Sequence, residues 1–263
     1  MNRIDERFSK LKQENKKALI TFLTVGDPDM ETSEKAIYTM QEEGVDLIEL
    51  GIPFSDPSAD GPAIQRADER ALAVGTDIFK VFDLVKKIRN NIEIPLVFLL
   101  YYNIMIQYGL EDFFAKCKEV GVDGLIIPDL PYEECGEIKE YTEKYGVYQI
   151  SLVSPTSKDR IKNIAKDAKG FLYCISSLGV TGEKTAFSTN FAEFVTEIKN
   201  NTDIAACVGF GISNGEQVKE LTQYFDGAIS GSAIVKAIAS GNSTEERMDN
   251  LRSKIKDLKS GLE

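Results

Sequence analysis

Short apolar runs alternate with amphipathic segments along the whole chain. Helical patterns between the apolar runs include Asp77–Asn90, Glu111–Val120, Glu133–Tyr145 and Asn214–Tyr224. Continuous apolar strands separated by helices predict a parallel sheet that is covered by helices on both faces. Eight apolar runs are typical of buried strands: Ala18–Leu23, Val45–Gly51, Pro95–Tyr101, Gly124–Ile127, Val147–Val153, Phe171–Ser176, Ile204–Val208 and Gly227–Ser230.

Eight strand–helix units predict an α/β fold of the (β/α)8 TIM barrel type. The chain has 263 residues, close to the roughly 250 of a typical barrel. The long spacing between the second and third strands predicts an extra helix over Ala63–Ala73, and Gly231 and Ser232 open a short helix after the eighth strand. No linker or low-complexity tract divides residues 1–263, so we expect one domain. The alternative is a doubly wound sheet, which usually has fewer strands.

The segment Val45–Pro62 carries the most informative chemistry. Glu49 lies among apolar residues near the carboxyl end of a predicted strand, where a barrel places its active site. A buried carboxylate is costly unless it is paired or its pKa rises, and a raised pKa suits proton transfer near neutral pH. The chain contains no histidine, so acid–base work falls to carboxylates, Tyr, Lys or Cys. The structural alternative is a Glu49 paired with a buried lysine or arginine from elsewhere.

The loop Pro53–Pro62 adds Asp56 and Asp60 directly after this strand. Either aspartate can hydrogen-bond a polar group of a substrate, but Asp-Pro and Asp-Gly are also common turn formers, and local chemistry does not separate the two readings. Tyr101 and Tyr173 end two other predicted strands, either as core aromatics or as walls of a substrate pocket.

Glycines accumulate in the loops after the last three predicted strands, at Gly182, Gly211 and Gly231. Exposed N–H groups at a helix start bind phosphate, and barrels often place a phosphate near the seventh and eighth strands. We therefore predict a phosphate site, with tight turns as the alternative. The long segment Leu178–Asn190 is typical of a lid over such a site.

Composition excludes several classes of protein. The net charge of −11 disfavours nucleic-acid or anionic membrane binding. The four cysteines form no C-x-x-C pair, and without histidine a zinc site is not expected. No apolar stretch approaches the ~20 residues of a membrane span. We expect a soluble, cytoplasmic protein whose Cys174 and Cys207 belong to the core.

Three motifs together resemble the tryptophan synthase alpha subunit family: Glu49, the Pro-Phe-Ser-Asp-Pro-x-Ala-Asp-Gly-Pro loop over Pro53–Pro62, and Gly-Val-Thr-Gly over Gly179–Gly182. The likeness runs nearly the full length of the chain, to the Gly-Ser-Ala-Ile-Val-Lys segment over Gly231–Lys236. The resemblance implies a (β/α)8 barrel. It also implies a carbon–carbon lyase that cleaves indole-3-glycerol phosphate to indole and glyceraldehyde 3-phosphate by a reverse aldol reaction.

The resemblance also assigns roles to individual positions. Glu49 resembles the family's general acid and base, and Asp60 resembles the carboxylate that holds the indole N–H. Lys184 stands where many relatives have arginine, and a lysine cannot make the two-pronged contact of an arginine. The substrate-binding positions that match the family are Phe22, Leu99, Tyr101, Tyr173, Thr181, Gly182, Gly211, Ile229, Gly231 and Ser232.

The resemblance further implies a partner. No metal or cofactor is expected in this chain, because pyridoxal phosphate belongs to the beta subunit with which family members pair. An α2β2 complex is expected, with contacts from Pro53–Pro62, Asn103–Tyr108 and the Leu130-Pro131 turn.

Two rival functions stay open at this point. One is another lyase or isomerase on the same barrel. An indole-3-glycerol phosphate synthase or a Schiff-base aldolase would require a lysine on a strand, and no predicted strand contains one. The other is a binding module that mainly activates a beta partner. Turnover with and without that partner separates them.

Overall fold

The computed structural model describes residues 1–175, 184–209 and 211–263. The strands in this part of the chain are all parallel and form one sheet in the order β5-β4-β3-β2-β1-β9-β8-β7-β6. They are β1 (Ala18–Thr24), β2 (Leu47–Gly51), β3 (Leu96–Leu99), β4 (Gly124–Ile126), β5 (Tyr148–Gln149), β6 (Ser151–Val153), β7 (Phe171–Ile175), β8 (Ala205–Gly209) and β9 (Gly227–Ser230).

The sheet closes into a TIM barrel, so the predicted fold is confirmed. β1 pairs with both β2 and β9, and the two ends of the strand order, β5 and β6, belong to one extended segment. That segment is the predicted strand Val147–Val153, interrupted at Ile150, whose N–H donates to the Leu125 carbonyl at 2.8 Å. β5 pairs with β4 and β6 pairs with β7, so the continuous chain through Ile150 joins the two ends of the ring.

Helices follow most of the strands and cover the barrel. They are α1 (Arg3–Gln13), α2 (Met30–Glu42), α3 (Pro62–Ala73), α4 (Ile78–Ile88), α5 (Tyr102–Tyr108), α6 (Leu110–Val120), α7 (Gly136–Tyr145), α8 (Lys158–Asp167), α9 (Lys184–Lys199), α10 (Gly215–Leu221), α11 (Ser232–Ala239) and α12 (Thr244–Ser260). Asp29, Asp77, Asn214 and Ser243 each cap a helix start through a side-chain oxygen, as these residue types favour.

The extra helix after β2 and the short helix after β9 are both present, as α3 and α11. Three details of the prediction are wrong. A short 3₁₀ turn over Tyr132–Glu134 precedes α7, so Glu133–Tyr145 is not one helix. β3 ends at Leu99, and Tyr101 is the N-cap of α5 instead of a strand residue. α9 begins at Lys184, so the second half of the predicted loop Leu178–Asn190 is helical.

The barrel interior forms its own apolar core. Because side chains alternate across a strand, one residue in two along each strand points inward. α1 closes the amino-terminal mouth of the barrel, and its Phe8 ring lies 5.6 Å from that of Phe171. Buried members of this core are Ile4, Leu11, Ala18, Ile20, Leu47, Val97, Ile126, Ile150, Phe171, Cys207 and Ile229.

The larger core lies between the outer face of the sheet and the helices, and it contains Cys174. Cys174 and Cys207 are therefore core residues, as predicted. Among the described residues, no helix is both long and apolar enough to cross a membrane.

Candidate active site

Glu49 lies inside the barrel, one inward layer above Leu47 toward the carboxyl ends of the strands. In the register of the sheet it neighbours Phe22 on β1 and Val97 on β3. Its side chain is 1% exposed, and its Oε1 atom has no hydrogen-bond partner among the described residues. Burial alone raises the pKa of Glu49 to about 8. Glu49 is therefore a neutral acid at pH 7.

The structural alternative for Glu49 required a buried cationic partner. Within residues 1–175, 184–209 and 211–263, no lysine or arginine forms an ion pair with this carboxyl, although ion pairs hold other buried carboxylates such as Asp46 and Asp123. A buried, unpaired carboxyl costs stability and is characteristic of functional sites. This observation favours proton transfer over a structural role.

Asp60 is held in place by Tyr101. The Tyr101 hydroxyl donates to Asp60 Oδ2 at 2.7 Å and accepts from the Ala59 backbone N–H at 2.9 Å. The Phe54 ring stacks on the Tyr101 ring with centroids 4.9 Å apart. Burial raises the pKa of Asp60, and the hydrogen bond from Tyr101 opposes this by stabilising the ionised form.

Asp56 has a different environment from Asp60, although the sequence presents them as equals. It is exposed and accepts a hydrogen bond from the hydroxyl of the preceding Ser55 at 2.5 Å. Such a local contact is typical of a turn residue. The structure thus separates the two aspartates, which local sequence chemistry could not do.

Tyr173 lies on β7 next to both carboxyls. Burial, followed by the negative charges of Glu49 and Asp60, raises the pKa of its hydroxyl well above the ordinary value. Its ring covers Gly209, where an added Cβ would collide with the ring carbons. The small residue on β8 therefore lets the tyrosine lie flat across the interior. Glu49, Asp60 and Tyr173 come together at the same end of the barrel.

An apolar wall adjoins these polar groups. Phe22 packs with Ala67 of α3 and Val235 of α11, and the half-buried Ile64 and Leu99 contact the same cluster. Leu99 and Tyr173 also pack against the interior core that contains Ile229. An apolar surface of this kind suits an aromatic ring.

Two residues of this region were not singled out by sequence reasoning. Ile64 and Asp68 both lie on α3, and Asp68 is only 4% exposed. The sequence feature that could have identified them is helical spacing, which places both residues on the same face of the predicted extra helix as Ala67 and Ala71. That signal indicates burial but not proximity to Glu49.

The predicted phosphate-binding residues lie at neighbouring strand ends. Ser232 is the first residue of α11, and Gly231 precedes it next to Phe22, with an added Cβ 3.5 Å from that side chain. Ser230 donates to the Ile212 carbonyl at 2.8 Å and so joins the end of β9 to the loop after β8. Gly211 in that loop has a φ of +77°, and no atom of the described residues lies within 4 Å of a Cβ added there. Thr181 and Gly182 lie outside the described residues.

No group of three or more His, Cys, Asp or Glu side chains in the described ranges has an arrangement that could hold a metal ion. The described groups at this end of the barrel include the carboxyls of Glu49 and Asp60 in different environments, two tyrosine hydroxyls, an apolar wall, and the backbone N–H groups at the start of α11.

Comparison with known proteins decides the family. A family model described as "Tryptophan synthase alpha chain" matches residues 8–263. The chain belongs to the tryptophan synthase alpha chain family. This confirms the resemblance carried by the Pro53–Pro62 loop, and the matched range includes every candidate site residue named above.

Individual family members are similar over their full length. The chain is 48% identical to a tryptophan synthase alpha chain of Thermoanaerobacter sp. (strain X514), with all of both chains covered. Its structure resembles that of tryptophan synthase subunit alpha from Legionella pneumophila, with a TM-score of 0.89 and 34% identity over 100% of this chain and 98% of the other. A crystal structure of tryptophan synthase from M. tuberculosis in an aminoacrylate-bound form gives a TM-score of 0.88 at 31% identity, with both chains covered completely.

Proposed function

We propose that this chain is a carbon–carbon lyase that cleaves indole-3-glycerol phosphate to indole and D-glyceraldehyde 3-phosphate. This is the alpha reaction of tryptophan synthase in L-tryptophan biosynthesis. The observation that carries the proposal is Glu49, a neutral, buried carboxyl whose Oε1 has no hydrogen-bond partner among the described residues. Glu49 and Asp60 both raise the pKa of Tyr173, so the three groups lie near one another. Family membership supports the same reaction.

The first step turns the indole ring into a leaving group. Neutral Glu49 donates its proton to C3 of the ring, and positive charge develops at the ring nitrogen. Asp60, held by Tyr101 at 2.7 Å, accepts the indole N–H as a hydrogen bond and stabilises that charge. A pKa of about 8 keeps the donor proton on Glu49 at neutral pH.

The second step breaks the bond between C3 and C3′. The Glu49 carboxylate that remains after the first step takes the proton from the 3′-hydroxyl, and the C3′–O bond becomes the aldehyde carbonyl. The electron pair of the broken bond returns to the ring, which leaves as neutral indole. Glu49 recovers its proton, so protons and electrons balance over one turnover.

The remaining site residues are proposed to bind and orient the substrate. Phe22, Leu99, Tyr173 and Ile229 contact the indole ring and the glycerol chain. Gly231 and Ser232 bind the phosphate through backbone N–H groups at the start of α11, Gly211 binds it from the loop after β8, and Thr181 and Gly182 complete this binding. Tyr101 acts on the ring through Asp60. No cofactor is assigned to this chain, since Glu49 carries both proton transfers.

We also propose a beta subunit as the partner, in an α2β2 complex in which that subunit holds pyridoxal phosphate. Exposed apolar side chains on α4 and α5 support a protein partner. Phe79 of α4 is 62% exposed and Ile106 of α5 is 52% exposed, and the Phe79 ring lies 5.2 Å from that of Tyr108. Two of these three residues fall in the predicted contact range Asn103–Tyr108.

Residues 1–263 are proposed to act as one domain. Each of the two apolar cores contains residues from strands along the whole chain, and α1 packs against the inner core. A cytoplasmic location is proposed because all four cysteines are free thiols, three of them buried, as expected in a reducing compartment.

The decisive experiment measures indole release from indole-3-glycerol phosphate by the purified chain, with and without a tryptophan synthase beta subunit. Wild type is compared with Glu49→Gln, which keeps the shape but cannot transfer a proton. Glu140→Gln is the matched control, since Glu140 is exposed on α7.

We expect activity in wild type and in Glu140→Gln, stimulation by the beta subunit, and no activity in Glu49→Gln. If Glu49→Gln matches wild type, Glu49 is structural and the mechanism is wrong. If no variant releases indole even with the partner, the substrate assignment fails and the binding-module alternative is favoured.

A further inference from the structure

Asp68 is a second buried carboxyl next to the site, and the reaction does not use it. It lies on the inward face of α3 and is 4% exposed. Its Oδ1 accepts a hydrogen bond from the Thr24 hydroxyl at the end of β1, at 3.3 Å, and the backbone N–H of Phe54 interacts with the same carboxyl. Phe54 belongs to the loop that carries Asp60.

The charges around Asp68 are mostly negative. Burial, then the charge of Asp60 and that of Asp27, raises the pKa of Asp68 to about 7, while Thr24 and Phe54 lower it. Asp27 is itself paired with Arg70 of α3 at 2.7 Å. A carboxyl in this position costs stability, because its two weak donors do not replace the water that it loses. If this residue only held the loop in place, an uncharged hydrogen-bond acceptor would be sufficient.

A continuous set of contacts leads from Asp68 to Asp60. The backbone N–H of Phe54 interacts with the Asp68 carboxyl and lowers its pKa, and the Phe54 ring stacks on Tyr101 at 4.9 Å with an interplanar angle of 21°. The Tyr101 hydroxyl donates to Asp60 at 2.7 Å and accepts from the backbone of Ala59 at 2.9 Å. Any shift of Phe54 therefore moves the ring that holds Asp60.

We propose that Asp68 is a positioning residue: it fixes Phe54 from behind the loop and, through the stacked Phe54 and Tyr101 rings, sets where the Asp60 carboxylate meets the indole N–H. This inference rests on the proposed function, which assigns the indole N–H to Asp60. Asp68 itself touches neither the substrate nor the reacting atoms.

The test compares binding of indole with binding of 1-methylindole, which has the same ring but no N–H. The chain contains no tryptophan, so the fluorescence of either ligand can be titrated without tryptophan background. The ratio of the two dissociation constants measures how well Asp60 is placed for the N–H. Wild type, Asp68→Asn and Asp68→Ala are measured at pH 6, below the pKa of Asp68, so that its carboxyl is mostly protonated and matches the uncharged Asn amide. Glu69→Gln, an exposed neighbour on the same helix, is the matched control.

We expect the preference for indole over 1-methylindole to fall about tenfold in Asp68→Ala, the effect of losing one hydrogen bond to a charged group. Asp68→Asn keeps an oxygen for Phe54 and should restore the preference to within about twofold of wild type. Glu69→Gln should not change it. If Asp68→Ala weakens both ligands by the same factor, the role is merely structural and the inference is wrong.

If Asp68→Ala does not fold, Phe54→Leu provides an independent test of the same path. It removes the stacked ring and leaves Asp68 in place, so the preference for indole should fall as in Asp68→Ala. An unchanged preference overturns the proposed path.

Indole release from indole-3-glycerol phosphate is measured in the same series. If wild type releases no indole but the preference responds as expected, the proposed reaction fails while the positioning role stands. If wild type releases indole and the preference does not respond, the positioning role alone fails.

Discussion

Glu49→Gln should make the folded chain more stable while it abolishes activity. The pKa of Glu49 is about 8 in the folded chain, against an ordinary value of 4.5. Above pH 4.5 the unfolded chain loses this proton while the folded chain keeps it, so a rise in pH favours the unfolded state. The loss of stability ends near pH 8, where the folded carboxyl also ionises.

The magnitude follows from this window. Each pH unit corresponds to about 1.4 kcal/mol of unfolding free energy. The carboxyl of Glu49 therefore lowers the free energy of unfolding by roughly 1 kcal/mol at pH 5, roughly 3 kcal/mol at pH 7 and roughly 4 kcal/mol at pH 8, relative to a group that does not titrate. Glutamine does not titrate, and the cost of burying its amide is the same at every pH.

The measurement is urea unfolding of wild type, Glu49→Gln and the exposed control Glu140→Gln at pH 5, 6, 7 and 8. The difference between Glu49→Gln and wild type should grow by roughly 2 kcal/mol from pH 5 to pH 7, whatever its absolute value. The Glu140→Gln difference should stay flat. A Glu49→Gln difference that does not change with pH would show that Glu49 titrates normally in the folded chain, and the argument for a neutral proton donor would be lost.

Three further variants test other parts of the structure. Tyr101→Phe removes the 2.7 Å hydrogen bond to Asp60, so kcat/KM for indole-3-glycerol phosphate should fall about tenfold with little change in the urea midpoint; an unchanged kcat/KM would contradict the role given to Asp60. Gly231→Val should raise KM and weaken inhibition by inorganic phosphate while kcat is kept. Gly231→Ala, whose Cβ has ordinary contacts, should behave as wild type. Equal effects of the two variants would argue against a phosphate at this helix start. Asp123→Ala removes the buried carboxylate that pairs with the half-buried Arg89 at 3.0 Å. It should lower the free energy of unfolding by about 3–5 kcal/mol without changing kcat, and a stability within about 1 kcal/mol of wild type would refute this.

Much of the fold could be predicted because a barrel repeats one simple pattern. Most strands are buried on both faces, and β1 and β2 show this most clearly, since every residue of both is buried. The interruption at Ile150 could not be predicted, because Val147–Val153 has the composition of one strand. The break arises where the segment changes its pairing partner from β4 to β7, which is a property of the closed ring.

The site could be predicted only in part, for a similar reason. Glu49 stands out because a carboxylate inside an apolar strand is unusual in the sequence itself. The bond between Tyr101 and Asp60 joins residues 41 positions apart, and no local pattern indicates it. Asp68 was missed since it reads as one polar position on an amphipathic helix, and its importance comes from the loop that packs in front of it.

The interruption at Ile150 between β5 and β6 has a consequence for local opening of the barrel. The ladders on either side of it are short, with two paired positions between β4 and β5 and three between β6 and β7, against five between β1 and β2. Because opening free energy depends on how many such contacts must break, the backbone amides flanking Ile150 should exchange with solvent deuterium sooner than those of β1 and β2. Local opening of the barrel would then begin where β5 and β6 meet. The strands that open last, β1 and β2, would lie on the opposite side, and β2 carries Glu49.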